Sequence, residues 1–475
     1  MRIGLFSAAL ATLSALILAA LSESLASWDI ISVAAVVISL IVALYLARAT
    51  PTASENPTRK CFGSALVIWM FLLLSEELFS RSGGDLQSVL QGQFSVAAYG
   101  EFSLWAVAFL ALLVISLKTP EYFRYMFSKR YRWVSVLTVL FVLSTALSPG
   151  PLYSLVWAFK LCLVVVLLAM CSALIRDARD LMAFLRATLW ACLFYLVVEI
   201  YIGFADPSRA FDMGRFGQSS NSLSVIAGSV LILSLTLSSQ ILGVRPIVIS
   251  ILSLTIMILS GGKAGIASGA FSATLFYLMK KKVGSAVALL SGMACLGVAL
   301  YMFTPIGSYF DTYAEEGSAD TLSGRTDLWT AALPLIRQHV VLGHGYMASR
   351  FAGPQLDWEQ GQNRWEAEHM HNAFLDVLYN NGLIGLGLLL ILHAMIIRNL
   401  LHVIRYPSAP LELYDFAAGS LAVYVNLVIS AFANSTIGGR ISTLFMLFLA
   451  LFVVSENLRK GLTKSLICPG GVNSR

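Results

Sequence analysis

Apolar runs about twenty residues long recur along this chain and leave it few possible folds. A helix of that length crosses about 30 Å of hydrocarbon. Backbone groups in lipid find no water, so each segment must satisfy its own N–H and C=O groups. A helix does this, and the period-2 pattern of barrel strands is absent. Charged residues make up only 12% of the 475 residues and hydrophobic ones 58%, against about 25% charged in a soluble domain. The sequence therefore predicts an all-α, polytopic helical integral membrane protein. Candidate spans fall at 3–22, 30–47, 61–80, 96–117, 133–147, 152–175, 187–204, 222–242, 247–260, 264–279, 283–303, 373–397, 413–433 and 441–455. About 12–14 transmembrane helices are expected from them.

The first apolar run could be mistaken for a signal peptide, but another follows almost at once, so it is read as a retained span. The cysteines (Cys61, Cys162, Cys171, Cys192, Cys295 and Cys468) lie in or beside apolar segments or in the tail. They offer neither a disulfide framework nor a metal site. The net charge of +6 is no sign of nucleic-acid affinity, because in a membrane protein the distribution of charge carries the information.

With the N-terminus inside, 22 of the 32 Lys and Arg fall in inner segments, and 19 of the 26 acids at outer positions. The positive-inside rule is strongly obeyed. Three regions follow: a transmembrane bundle over 1–303, an outer loop over 304–372, and C-terminal spans with a cytoplasmic tail over 373–475. A loop this long is functional or carries helices of its own.

The few outer cations therefore stand out. Arg81, Arg209, Arg350 and Arg364 read as solvated loop charges. Arg215 occurs in "MGRFGQSSNSLS", where Asn221 and the serines can cap the following helix, whose N-terminus offers N–H donors and partial positive charge. Lys263 occurs in "LSGGKAGIASG", a turn tight enough to need glycine and open enough to admit a ligand. Arg325 follows Ser323, which reads as the cap of a helix through Arg337. Each has a plain alternative in interfacial snorkelling. Together, on one face, they fit one multiply charged anion. Lys160 and Glu199 lie inside spans, where ionisable groups are functional candidates or pair with each other.

"EHMHNAFLDVLYNNGLIG" begins with His369, His371 and Asn372 directly before a span. Two residues apart, the histidines would point to different faces of a helix, and no metal site is expected. A neutral histidine can accept a proton from an attacking hydroxyl, or simply cap its own helix. Gly382, Gly385 and Gly387 read as close helix packing, and Asn380-Asn381-Gly382 as a change of direction.

His371-Asn372, nine residues, Gly382, two residues, Gly385 resembles the His-Asn-x9-Gly-x-x-Gly pattern of the O-antigen ligase and polymerase superfamily. "SGRTDLW" followed by "LGHGY", "GRFGQSSNSLS" and "SGGKAG" resemble that family's other elements, in order over Arg215–Gly387. The first 200 residues match only as generic spans. The resemblance implies a GT-C-like membrane glycosyltransferase in the bacterial inner membrane, with its active site and long loop facing the periplasm. It implies an undecaprenyl-pyrophosphate-linked oligosaccharide donor and, as acceptor, another lipid-linked glycan (polymerase) or lipid A-core (ligase). Membrane lipids and chain-length regulators of a polysaccharide assembly system would be its partners; nucleic acid and cofactors are not expected.

Carried over residue by residue, the resemblance makes Arg215 and Lys263 the diphosphate ligands and His371 the group acting on the acceptor hydroxyl. Arg325, Asn372, Asn221, His369 and Lys160 are expected to bind substrate. Many ligases carry arginine where this chain has Lys263, and an ammonium cannot make the same bidentate contact. The lysine turn resembles exopolysaccharide polymerases more closely and favours polymerase over ligase. Negative charge grows on the departing diphosphate, so cations there stabilise the transition state without calling for a metal. The rival classes are a transporter of lipid-linked oligosaccharide, which should show internal repeats and broken midplane helices, and a non-catalytic scaffold indifferent to loss of His371.

Overall fold

The computed structural model describes residues 57–79, 105–106, 108–113, 115–116, 120–205, 211–212, 215–216, 220–237, 246–308, 325–350, 369–435 and 437–467. The expected spans 3–22 and 30–47 and the expected cap Ser323 lie outside these residues. In chain order the helices are α1 (Pro57–Phe79), α2 (Pro120–Arg124), α3 (Arg132–Ser144), α4 (Pro151–Leu174), α5 (Ala178–Ala205), α6 (Ser220–Thr236), α7 (Pro246–Leu259), α8 (Lys263–Met279), α9 (Val283–Phe303), α10 (Arg325–Gln338), α11 (Ala373–Ile404), α12 (Leu411–Ala431) and α13 (Thr443–Ile467). The β structure among the described residues is one two-residue antiparallel pair, β1 (Phe211–Asp212) with β2 (Arg215–Phe216). The all-α expectation holds.

Local chemistry explains the starts. Pro57, Pro120, Pro151 and Pro246 each open a helix, where a fixed φ helps and the missing N–H costs nothing. Asn372 caps α11, its side chain accepting from Phe374 N and Leu375 N. Helix ends depart from the apolar runs where polar residues continue the helix. α5 begins at Ala178 rather than 187, taking in Arg179, Asp180 and Arg186. α13 continues past 455 through Glu456, Asn457, Arg459 and Lys460. An apolar run measures the lipid-crossing part of a helix, not its length.

Five described helices are long and apolar enough to cross a membrane: α4, α5 over Ala178–Tyr201, α9, α11 and α12. α9 turns Val283, Val287, Leu290, Val298, Met302 and Phe303 outward. An apolar exterior of this extent fits lipid rather than water. The chain is a multi-pass helical membrane protein.

The interior runs along α13, where Phe445, Phe448 and Phe452 are fully buried, and the Tyr131 ring meets Phe452 edge-on at 5.4 Å. Between helices in lipid, close approach and polar pairs matter more than apolar burial. α6 and α8 cross at glycines; a Cβ on Gly228 would lie 3.2 Å from Gly269 Cα. Buried Asn426 of α12 ties both helices together. Its Nδ2 donates to Val225 O at 2.9 Å and Ser229 Oγ at 3.0 Å, while its Oδ1 accepts from Ser268 Oγ at 2.7 Å.

Candidate active site

The Asn426 cluster fixes which elements emerge at the same level. Lys263 is five residues from Ser268 on α8, and Phe432 is six from Asn426 just past α12. At 1.5 Å per residue these are rises of about 7.5 and 9 Å. Asn221 lies four residues before Val225 on α6, a rise of about 6 Å. At the opposite end Lys280 Nζ meets Asp415 Oδ2 at 2.8 Å, fixing the antiparallel register of α8 and α12. Asn372 Nδ2 donates to Phe432 O at 3.3 Å. The helix starts carrying Asn221 and Lys263 and the histidine motif therefore share one end of the bundle.

The turn before α8 is built as its glycines suggest. Gly261 has φ 63°, and Gly262 directly precedes the helix. Ser224 Oγ of α6 donates to Gly262 O at 3.2 Å, joining the Lys263 turn to the helix that follows Arg215. A Cβ on Gly265 would collide with Ser224. Arg215 itself lies in β2, opposite Asp212, and β2 packs against α7. Asn221 sits inside the first turn of α6 rather than before it.

The histidines are not on a helix. They precede α11 in a bend, with ring centroids 4.2 Å apart, and His371 N donates to His369 Nδ1 at 3.2 Å. The different-face expectation fails because the helix begins only at Ala373. His371 has φ 48°, a left-handed conformation that costs a non-glycine residue about 1–3 kcal/mol. Three contacts hold it there. Asn372 caps the next helix, buried Asp376 accepts Met370 N at 3.1 Å through Oδ1, and Trp329 Nε1 donates to Met370 O at 2.8 Å. Trp329 is one turn beyond Arg325 on α10, so α10 brings Arg325 to the motif. Burial first, then the charges of His369 and Arg325, hold His371 well below the usual histidine range. Its imidazole is neutral at pH 7 and able to accept a proton.

The Gly-x-Gly element locks onto a break in α11. Gly382 has φ 62° and ψ −165°, territory open in practice only to glycine. The broken turn leaves backbone groups that residues 340–345 satisfy. His344 N donates to Tyr379 O at 2.9 Å and Gly345 N to Asn380 O at 2.8 Å; Leu383 N donates to Val340 O at 2.8 Å and Ile384 N to Val341 O at 3.3 Å. A Cβ on Gly343 or Gly382 would run into backbone of the facing segment, and one on Gly345 into the Leu147–Ser148 backbone between α3 and α4. Asn381 Nδ2 donates to Ser144 Oγ at 2.7 Å, fastening the break in α11 to α3, and Ser154 Oγ donates to Tyr346 O at 2.7 Å, fastening the loop to α4. The expected change of direction is present, but close helix packing by Gly385 and Gly387 is not. A Cβ on Gly385 meets its own helix's Asn381 and Val377, and one on Gly387 meets nothing within 4 Å.

Lys160, 2% exposed, lies among aromatics, its Nζ 4.1 Å from the Trp157 ring centroid and 5.1 Å from that of Trp105. The Arg440 guanidinium covers Trp157 at 5.1 Å. Arg350, expected as a solvated loop charge, instead lies 6.0 Å from the Tyr153 ring on the same helix, in a short 3-10 turn (Ala348–Arg350) that packs against α11. Tyr346 OH donates to Gly439 O at 3.1 Å, linking the Arg440 segment to the Gly-x-Gly loop.

The structure thus brings Arg325, His369, His371 and Asn372 together, and joins the Lys263 turn to α6. It sets Lys160 between the Trp157 and Trp105 rings. Sequence reasoning missed Asp376, Tyr346 and Trp157, and counted Arg440 among the outer cations without giving it a role. Only Arg440 carried a signal, since "IGGRIS" repeats the Gly-Gly-cation order of "SGGKAG" before a helix. Among the described residues no group of three or more His, Cys, Asp or Glu side chains could hold a metal ion.

Residues 248–390 match a protein-family model described as O-antigen ligase. The match takes in Lys263, Arg325, His369, His371, Asn372 and the Gly-x-Gly loop, while Lys160, Arg215 and Asn221 lie before it. No curated protein matches the chain significantly.

Proposed function

From membership of the O-antigen ligase and polymerase superfamily, carried by residues 248–390, we propose that the chain polymerises glycan repeat units on a lipid carrier. The donor is a glycan on undecaprenyl pyrophosphate, and the acceptor is a sugar hydroxyl of a second lipid-linked glycan. The reaction takes place at the periplasmic face of the bacterial inner membrane, in a GT-C-like framework. The observation that carries this reading is the neutral His371 held beside Arg325 at the bundle end where α8 begins with Lys263.

In this mechanism His371 takes the proton of the acceptor hydroxyl as its oxygen bonds to the anomeric carbon. The anomeric carbon–oxygen bond breaks, its electron pair leaving with the lipid diphosphate. Arg215 and Lys263 receive that charge and Arg325 supports it. A single displacement of this kind inverts the anomeric centre. His369 and Asn372 hold the imidazole, and Asn221 adds a polar contact near the diphosphate. Lys160, within its indole pair, contacts the sugar–phosphate portion of the substrate. The lysine at position 263 supports polymerase over ligase; transfer to lipid A-core is the second reading.

The test is reconstitution with a purified lipid-linked repeat and separation of the products. A ladder of lipid-linked oligomers is the expected result. Product formed only with lipid A-core makes the chain a ligase, and movement across the bilayer without bond formation makes it a transporter. Full turnover by both H371A and R215A, each folded, would exclude this site.

A further inference from the structure

The other end of the bundle carries a built cavity that the transferase reading does not use. It has a volume of about 280 Å³ and is lined by Lys129, Arg130, Met395, Arg398, Glu456, Arg459 and Lys460. Five cations from three separated segments face one carboxylate. A second hollow, about 470 Å³, continues from Arg398 along Leu401, His402, Arg405 and Tyr406. Arg398 lies 16 residues past the break at Gly382, a rise of roughly 24 Å along the second part of α11, so the cavity and the histidine motif occupy opposite ends of the same element. All five cations belong to segments that the charge pattern assigns to the inner face.

A basic rim at the inner interface is ordinary; this cavity has a floor. Glu456, 4% exposed, accepts from Asn399 Nδ2 at 2.6 Å, and Asn399 Oδ1 accepts from Arg459 Nη1 at 3.2 Å. Lys460 Nζ donates to Asn457 Oδ1 at 3.1 Å and to Ser172 O at 3.4 Å, and lies 5.0 Å from the Tyr125 ring centroid. These two cations are held in place. Lys129, Arg130 and Arg398 are exposed and their side chains make no ion pair among the described residues. One buried carboxylate cannot balance five cations, and like charges gathered around one cavity repel unless an anion enters.

We propose that this inner-face cavity binds a phosphate-bearing anion, either an acidic phospholipid headgroup from the inner leaflet or a soluble phosphate compound. Arg398, Lys129 and Arg130 make the first contacts, and Arg459 and Lys460 set its depth. Basic pockets between transmembrane helices on this side suit anionic headgroups, and Arg supplies a planar fork matched to phosphate oxygens.

The experiment uses the full chain purified in neutral detergent. In one arm it is mixed with phosphatidylcholine micelles containing phosphatidylglycerol, and retained lipid is counted by native mass spectrometry. In the other, inorganic pyrophosphate is titrated by calorimetry without anionic lipid. K129Q/R398Q changes two exposed side chains at the cavity, and K281Q/K282Q removes the same charge from the nearby turn after α8. K129Q/R398Q is expected to weaken binding about fivefold per cation, roughly 25-fold in all, with K281Q/K282Q close to wild type. Loss confined to the lipid arm identifies a headgroup site, and loss in the pyrophosphate arm a soluble ligand. Equal losses in the two variants, no loss in K129Q/R398Q, or no binding by wild type in either arm would overturn the proposal. K129Q/R130Q, confined to the exposed turn before α3, repeats the test away from α11.

Discussion

The two ends of the bundle are made by different means. At the histidine end the backbone does the shaping: positive φ occurs at Gly261, Gly343, Gly345, Met347, His371, Gly382 and Gly438. At the other end positive φ is found, among the described residues, at Lys281 alone, and long cationic side chains line a hollow. Backbone shaped by glycine is rigid and fixes a few groups closely, as the proposed displacement at an anomeric carbon requires. Lysine and arginine stems adjust, which suits an anion held by charge. The comparison predicts that the first end is intolerant of added atoms and the second of lost charge.

The largest expected effect tests whether the histidine end is chemical at all. H371Q should lower turnover about 10²–10⁴-fold while the folded fraction stays near wild type, measured as oligomer formation per folded molecule. Retained turnover would reduce the strained bend to a structural feature. Next comes the backbone itself. G382A meets the Val341 carbonyl and a forbidden φ, and should cost more than about 3 kcal/mol. G387A faces open space and should lie within about 0.5 kcal/mol of wild type or gain slightly from helix propensity. Similar melting temperatures for the two variants would remove the difference between these neighbouring glycines.

That pair also marks the limit of what the sequence carries. "NNGLIGLG" shows where a helix must bend, because Gly-rich breaks and caps are local chemistry. It does not show that "LGHGY", some forty residues earlier, supplies the hydrogen bonds the bend leaves open. That pairing is set by tertiary approach, so Gly385 and Gly387 read like Gly382 until the facing backbone is seen. The five described membrane-crossing helices were legible for the same local reason, since lipid-crossing runs advertise themselves. The helical tails of α5 and α13 were not, because polar helix beyond the membrane has no apolar run. Of the candidate site, His371, Lys263 and Arg325 stood out as cations or imidazole in acidic outer surroundings. Asp376 was hidden as one acid among many, and the pairing of Arg440 with Trp157 was hidden by the 283 residues that separate them.

The pH response follows from the same burial. His371 sits well below the usual histidine pKa of about 6.5, so the base form persists into mildly acid solution. The acid limb of turnover should fall below pH 6.5 in wild type. For stability, the unfolded chain takes up this proton at higher pH than the folded chain does. Stability is therefore expected to fall as pH drops below about 6.5, with the loss complete once His371 protonates in the folded state. His344 moves in the same direction, chiefly through burial and partly opposed by its hydrogen bond to Leu335 O. H344Q should flatten part of the thermal-stability profile and leave the acid limb of turnover in place. A limb at or above 6.5 would mean that His371 is more solvated than its packing indicates.

The smallest expected effect lies between the two ends. Asn426 joins α6, α8 and α12 about one and a half turns below the Lys263 turn, and its removal should loosen the level at which that turn emerges. N426A frees Ser268 Oγ, which keeps its bond to Gly265 O at 3.1 Å, and Ser229 Oγ, which keeps Val225 O at 3.0 Å. With these fallbacks the cost should be near 0.6 and no more than about 1.7 kcal/mol, the span found for buried polar pairs between membrane helices. The signature is a slight drop in melting temperature and a raised KM for the lipid-linked donor, with phosphatidylglycerol retention at the inner cavity unchanged. A fall in kcat at constant KM would mean that Asn426 acts on the histidine bend through Phe432 rather than on the donor turn. The inner cavity should register neither change.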